Sequence, residues 1–164
     1  MKILYSVLES SFGKVTVATT DGGICCVSFA EDAVTELTRR FRTAELISKQ
    51  EPLQLKVVEM LNEWPASSVK AAELPLHLMG TEFQLAVWKA LLTLKPGDLT
   101  SYKVIAQLAG RPTAVRATGT AIGQNPVAVF VPCHRVLTSS GKIGGYRWGI
   151  SLKTELIEKE KTRF

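Results

Sequence analysis

Residues 101–136 read SYKVIAQLAGRPTAVRATGTAIGQNPVAVFVPCHRV. How this run divides decides the fold of the second half. Ser101 opens a short helix, Tyr102–Ala109, which Gly110-Arg111-Pro112 breaks. A second helix runs from about Thr113 to Ile122, and Gly123-Gln124-Asn125-Pro126 stops it. Two short helices with a glycine in the turn have the form of a helix-turn-helix. On the second helix Val115, Thr118, Ala121 and Ile122 suit an inward face. The other positions, Ala114, Arg116, Ala117, Gly119 and Thr120, are small apart from one arginine. A helix that reads the major groove carries several long polar side chains, and this one carries almost none. Small residues let a backbone lie close to a surface, as minor-groove contact requires, and leave Arg116 to enter a base stack. An ordinary helical hairpin with a solvated arginine fits the same pattern equally well.

Downstream, Val127–Val131 reads as a buried strand-like run leading into Pro132-Cys133-His134-Arg135-Val136. A lone cysteine in an apolar run is usually core. Here His134 and Arg135 follow at once, and both are costly to bury without a role. Two such neighbours are expected to lower the thiol pKa from its reference of about 8.5 and enrich the thiolate. In an extended strand, residues 133 and 134 point to opposite faces. Direct contact between thiol and imidazole therefore needs a local turn or a water. A carboxylate to orient the imidazole must come from elsewhere. Glu160 is the candidate, in a closing helix Leu152–Glu160 with Leu152, Leu156 and Ile157 apolar.

Working outward, Thr81 is a plausible N-cap for a helix that buries Phe83, Val87, Trp88, Leu91 and Leu92. The first thirty residues read as strands: Ile3–Leu8, Val15–Thr19 after a hairpin at Ser11-Phe12-Gly13-Lys14, and Ile24–Phe29 after Asp21-Gly22-Gly23. Glu31-Asp32 opens a helix with Val34, Leu37 and Phe41 at helical spacing. A second runs from Pro52 to Trp64, and Pro65-Ala66-Ser67-Ser68 breaks it. Leu74–Leu78 is extended, and a boundary near Met79-Gly80 divides the chain into lobes 1–79 and 80–164.

Composition bounds the class. The chain has 164 residues, 46% of them hydrophobic, which suits a globular core rather than a membrane span. No apolar run is long enough to cross a bilayer, and the start Met1-Lys2-Ile3-Leu4-Tyr5 leads into no signal-peptide core. Three cysteines, two of them adjacent, make no disulfide framework and point to a reducing, cytoplasmic setting. Cys25 and Cys26 read as buried strand residues. With His77 and His134 they match no zinc spacing, so no metal is expected. Net charge is +5, and every charged residue from Lys103 to Arg147 is Lys or Arg. That distribution allows a polyanionic partner without requiring one.

These residues together resemble the O6-alkylguanine-DNA alkyltransferases, also called methylated-DNA–protein-cysteine methyltransferases, of the bacterial type. The resemblance rests on Pro132-Cys133-His134-Arg135-Val136 and Gly123-Gln124-Asn125-Pro126. Ser101-Tyr102, Ala114-Val115-Arg116-Ala117, Ser139-Ser140-Gly141 and Gly144-Gly145-Tyr146 reinforce it, and the match covers roughly Thr81 to Glu160. It implies an α+β fold: a ribonuclease H-like N-terminal lobe of antiparallel strands with helices, and a helical C-terminal lobe holding a helix-turn-helix and the reactive cysteine.

The resemblance also implies direct-reversal DNA repair. An alkyl group on O6 of guanine, and on O4 of thymine, passes irreversibly to Cys133, once per molecule, from a base flipped out of the duplex. Cys133 corresponds to the acceptor, His134 to its base, Glu160 to the orienting carboxylate, and Asn125 to the brace of the active-site turn. Tyr102 corresponds to the phenol near guanine N3, and Arg116 to the finger that enters the duplex. Tyr102, Lys103, Arg111, Arg116, Ala117 and Ser139 correspond to DNA contacts, and Val136, Tyr146, Arg147 and Trp148 to the base pocket. The implied partner is double-stranded DNA, met in the minor groove with little sequence preference by a monomer, with no cofactor. The bulk of Arg147 and Trp148 predicts slower reaction with benzyl than with methyl adducts. The methylphosphotriester domain of some bacterial relatives is missing, so no transcriptional role is expected.

Three other readings make different demands. A lesion-binding alkyltransferase-like protein replaces the acceptor cysteine, which is present here. A helix-turn-helix transcription factor needs base-reading side chains. A cysteine hydrolase built on Cys133 and His134 would turn over esters repeatedly.

Overall fold

The computed structural model describes residues 1–163, with side chains through Lys161, and the chain divides into two compact units, Met1–Leu78 and Met79–Phe164. Strands and helices are mixed, so the class is α+β.

The first unit runs β1 (Lys2–Ser10), β2 (Gly13–Thr20), β3 (Gly23–Ser28), α1 (Ala33–Arg40), β4 (Glu45–Ser48), α2 (Pro52–Asn62) and a 3-10 segment, Ala66–Glu73. The sheet order is β3-β2-β1-β4. β1, β2 and β3 form an antiparallel meander, and β4 pairs parallel to β1. Gly23 turns the chain into β3 at φ +127°, and a Cβ there would collide with the Pro75 carbonyl. That close approach lets Ile24 N–H donate to Pro75 O and His77 N–H to Ile24 O, each at 2.8 Å. All six residues of β3 are buried, Cys25 and Cys26 among them.

Two features here departed from expectation. β4 was not legible, because Glu45–Ser48 is short and only half-buried. Gln54 is fully buried on α2 inside what reads as an apolar stripe. Its Nε2 donates to Leu4 O (3.1 Å), while its Oε1 accepts from the Ser6 hydroxyl (2.6 Å) and the Glu51 N–H (2.9 Å). With its polar atoms satisfied, its burial is affordable and ties α2 to β1.

The second unit runs α3 (Glu82–Leu91), β5 (Thr100–Ser101), α4 (Tyr102–Leu108), α5 (Val115–Gly123), a 3-10 turn (Cys133–Arg135), β6 (Val136–Leu137) and α6 (Ile150–Arg163). Thr81 caps α3 through a reciprocal pair with Gln84. Trp88 is fully buried, and its Nε1 donates to Ala121 O (2.9 Å), locking α3 to α5. Ser101 caps α4, and β5 pairs in parallel with β6 through Thr100↔Val136. That pairing sets the start of α4 beside the chain leaving Cys133.

Leu92 and Val115 were expected inside and are 42% and 36% exposed. Each lies at the end of its helix, where the apolar stripe turns away from the core.

The larger correction concerns Val127–Val131. The run is buried, as its composition demands, but it forms turns rather than a strand. Val129 sits at φ +70°, and Phe130 N–H donates to Ala128 O across it (2.8 Å), a left-handed γ-turn. Pro132, at φ −82° and ψ 63°, makes an inverse γ-turn, with Cys133 N–H donating to Val131 O (2.8 Å). For a β-branched residue the Val129 conformation costs about 1–3 kcal/mol, so surrounding contacts must hold it.

Candidate active site

The two γ-turns deliver Cys133 into a 3-10 turn, which is the local turn that an extended chain lacks. Cys133 is 5% exposed, yet its side chain lines an open cavity of about 200 Å³. The other walls are Tyr102 from α4, Gly119, Ile122 and Gly123 from α5, and Gly145, Tyr146 and Arg147 from the loop before α6. A ~150 Å³ cavity accepts benzene, so the space is of the order a planar base needs.

Asn125 fixes the sulfur. Its Nδ2 donates to Val131 O (2.8 Å) and to Cys133 Sγ (3.2 Å), and its Oδ1 accepts from Val127 N–H (2.9 Å). One buried amide therefore closes the loop on itself and offers the sulfur a donor.

Behind the thiol lies a buried charge cluster. His134 Nε2 meets Glu160 Oε2 at 2.7 Å. Arg135 Nε donates to Glu160 Oε1 (2.8 Å), its Nη2 to Oε2 (3.3 Å), and its Nη1 to Leu94 O (2.8 Å). Burial pushes the Glu160 carboxyl up, but the hydrogen bonds and charges of His134 and Arg135 outweigh it and hold the group at about 2. Burial lowers the His134 pKa despite Glu160, so the ring is neutral near pH 7. A neutral ring that donates from Nε2 carries its lone pair on Nδ1. That atom is buried and has no hydrogen-bond partner among the described residues.

The expectation of a thiol acidified by its sequence neighbours is overturned. Burial pushes Cys133 up to about 11, against lowering by the Asn125 hydrogen bond, the Lys153 charge, its own backbone hydrogen bond and Tyr146. The reason is physical: Arg135 spends its charge on Glu160, and His134 is neutral. The cation that does influence the sulfur, Lys153, was missed by sequence reading. It shares the inward face of α6 with Leu156, Ile157 and Glu160, and that spacing was its signal.

The remaining candidates divide into pocket and surface. Tyr102 is half-buried and flanks Gly119, whose Cβ would lie 3.6 Å from Tyr102 Cδ1. Burial and the nearby Cys133 raise the Tyr102 pKa, so its hydroxyl keeps its proton. Tyr146 presents a buried hydroxyl, raised well above its usual value by burial and by Cys133. Arg147 Nη1 donates to Asn125 O (3.1 Å), and its guanidinium lies 5.3 Å from the Trp148 ring centroid. Trp148 meets Tyr146 edge-on at 5.4 Å and touches the cavity through that wall residue and Arg147. Val136 is buried on β6 with its carbonyl bound to Lys153. Lys103, Arg111, Arg116, Ala117 and Ser139 are exposed. Arg116 stands one turn before Gly119 on α5, on the helix that forms one cavity wall.

Comparison with known proteins gives the same grouping. The family model described as 6-O-methylguanine DNA methyltransferase, DNA binding domain, matches residues 82–162. The inducible methylated-DNA–protein-cysteine methyltransferase of Bacillus subtilis is 38% identical, over 97% of this chain and 90% of that protein. The bifunctional transcriptional activator/DNA repair enzyme Ada of Escherichia coli is 34% identical over 98% of this chain, which spans only 46% of Ada. The crystal structure of Mycobacterium tuberculosis OGT in complex with DNA superposes with a TM-score of 0.77 at 36% identity, covering 98% of this chain and 94% of that one. On sequence and fold alike, this chain belongs to the methylated-DNA–protein-cysteine methyltransferase family.

Proposed function

We propose that this protein repairs O6-alkylguanine, and O4-alkylthymine, in double-stranded DNA by moving the alkyl group irreversibly to Cys133, once per molecule. The observation that carries the reading is Cys133 on the wall of an open base-sized cavity, hydrogen-bonded by Asn125 and backed by the His134–Glu160 pair. The likeness to methyltransferases and to a structure solved with DNA supports it.

A thiol held at about 11 is neutral at rest, so its proton must leave during the reaction. The Nδ1 lone pair of His134 receives it through a water, while Glu160 holds the ring by Nε2 and stabilises the imidazolium that forms. The thiolate attacks the saturated alkyl carbon. The S–C bond forms as the C–O6 bond breaks, and guanine leaves with the electron pair. The protonated Tyr102 hydroxyl donates to N3 of the departing base and draws off its charge. A base inside a duplex offers no path to a walled sulfur, so the nucleotide is flipped out, at a few kcal/mol that a damaged pair reduces.

α4 and α5 serve as the helix-turn-helix. The small, exposed face of α5 lies in the minor groove, Arg116 fills the space the base leaves, and Lys103, Arg111 and Ser139 meet the backbone. Contacts of this kind carry little sequence information. The first unit is read as the ribonuclease H-like lobe.

Intact mass after incubation with O6-methylguanine DNA tests the proposal. The expected result is a gain of one CH2 at Cys133, retained in Cys25→Ala and absent in Cys133→Ala. Folded protein that binds the DNA with unchanged mass overturns it in favour of lesion binding alone.

A further inference from the structure

Lys153 is 1% exposed on α6, and its Nζ donates to three backbone carbonyls: Val136 (2.7 Å), Ile143 (2.6 Å) and Gly145 (3.1 Å). Three donors meet three acceptors, so the ammonium is fully satisfied. None of those acceptors carries a charge. A buried cation without a carboxylate is expensive, and neutral carbonyls only partly offset the lost hydration. The other buried cation nearby, Arg135, is neutralised by Glu160. Lys153 thus leaves a net positive charge inside the unit.

Its three anchors lie on the two segments that flank the cavity. Val136 follows the Cys133–Arg135 turn directly, and Gly145 is a wall of the cavity. Ile143 and Gly145 bracket Gly144, at φ +68°, where a Cβ would lie 3.6 Å from the Tyr102 hydroxyl. One side chain therefore pins both the strand leaving Cys133 and the loop that carries Tyr146 and Arg147.

We propose that Lys153 is a positioning residue for alkyl transfer: held on the carbonyls of Val136, Ile143 and Gly145, its ammonium fixes the cavity wall and supplies the positive field in which the Cys133 thiolate forms. This rests on the function proposed above. The Asn125 amide and the Tyr146 and Tyr102 hydroxyls act on the sulfur from its own surroundings, and Lys153 acts on it by charge. Arg147, on the same cavity wall, is bound to Asn125 O. Consistent with that geometry, the Lys153 charge opposes the rise that burial imposes on the thiol, and Cys133 opposes the lowering that burial imposes on Lys153. Lys153 takes no part in the proton transfer. The sulfur's proton goes to His134, and the ammonium changes only the energy of the charge left behind.

The test compares wild type with Lys153→Met, Lys153→Gln and Lys153→Arg in the full chain. Two rates are measured against pH: methyl transfer from O6-methylguanine DNA, and carboxamidomethylation of Cys133 by iodoacetamide, mapped by peptide mass. Circular dichroism checks each fold. Removing the charge should move the rising limb of both profiles to higher pH by one unit or more, which is about a tenfold loss of thiolate below it. Lys153→Arg should return the limb toward the wild-type position. Lys153→Gln keeps two donors for the carbonyls and carries the comparison should Lys153→Met not fold. A lower melting temperature with an unshifted iodoacetamide profile overturns the proposal and leaves a purely structural lysine. Wild type that reacts with iodoacetamide but takes no methyl from DNA instead overturns the function on which it rests.

Discussion

Cys25 and Cys133 are both buried thiols, and burial pushes them to about 12 and about 11. By depth the strand β3 and the turn at 133–135 treat their cysteines alike. The difference lies in what acts after burial. At Cys25 the next influence is the Cys26 thiol, which raises it further, and only then do its own backbone hydrogen bond and the Arg40 charge lower it. At Cys133 every further influence lowers the pKa: the Asn125 amide, Lys153, its own backbone hydrogen bond and Tyr146. One site also opens on a cavity, while the other belongs to a strand buried at all six positions. A reactive cysteine here is marked by groups that favour its anion and by a way in, not by exposure.

The strongest way to break this contrast is to remove the charge system behind Cys133. Glu160→Gln leaves Arg135 and His134 buried without their carboxylate. A cost of about 3–5 kcal/mol is expected in urea unfolding. Loss of the oriented base should slow single-turnover methyl transfer by about 10²-fold or more. A near-normal rate in the folded variant would show that Cys133 needs no base behind it.

Acid should erase the contrast more gradually. Glu160, held at about 2 against an ordinary value of 4.5, contributes stability that is present above 4.5 and is lost as pH falls toward 2. His134, whose folded pKa is lowered, binds its proton more readily when unfolded, so stability also falls below 6.5 toward that lower value. The two add with the same sign. The urea midpoint should decline from pH 7 to 4, and more steeply than in Glu160→Gln.

The smallest effect concerns the cavity itself. Its volume is about 200 Å³, and Tyr146 and Arg147 form part of the wall. Methyl adducts should outcompete benzyl adducts several-fold in a mixed-substrate assay. Equal rates would mean that the Arg147 wall yields on binding.

Much of this was legible in the sequence, for identifiable reasons. Helix ends marked by Thr81, Ser101 and the Gly110 break sit where their chemistry places them, because caps and glycines act locally. Cys133, His134, Asn125 and Glu160 were all singled out, and the chain brings them together. What escaped depends on long-range contact. Gln54 is bound to Leu4 O, far along the chain, which no local pattern announces. Lys153 shares the helical spacing of the inward face of α6, but a lysine there reads as solvated until its carbonyl partners are known. The Val127–Val131 run reads as a strand because apolar composition reports burial and not backbone direction. The thiol pKa was misjudged because adjacency in sequence ignores how Arg135 spends its charge.

The left-handed valine at 129 carries one more consequence. The route from α5 to the sulfur passes through a bend that L-residues resist, so Cys133 sits at the end of a sprung segment whose tension the packed interior opposes. Glycine would relax that bend and widen the choice of endpoints for the sulfur. Valine narrows it, which exchanges conformational comfort for accuracy of aim.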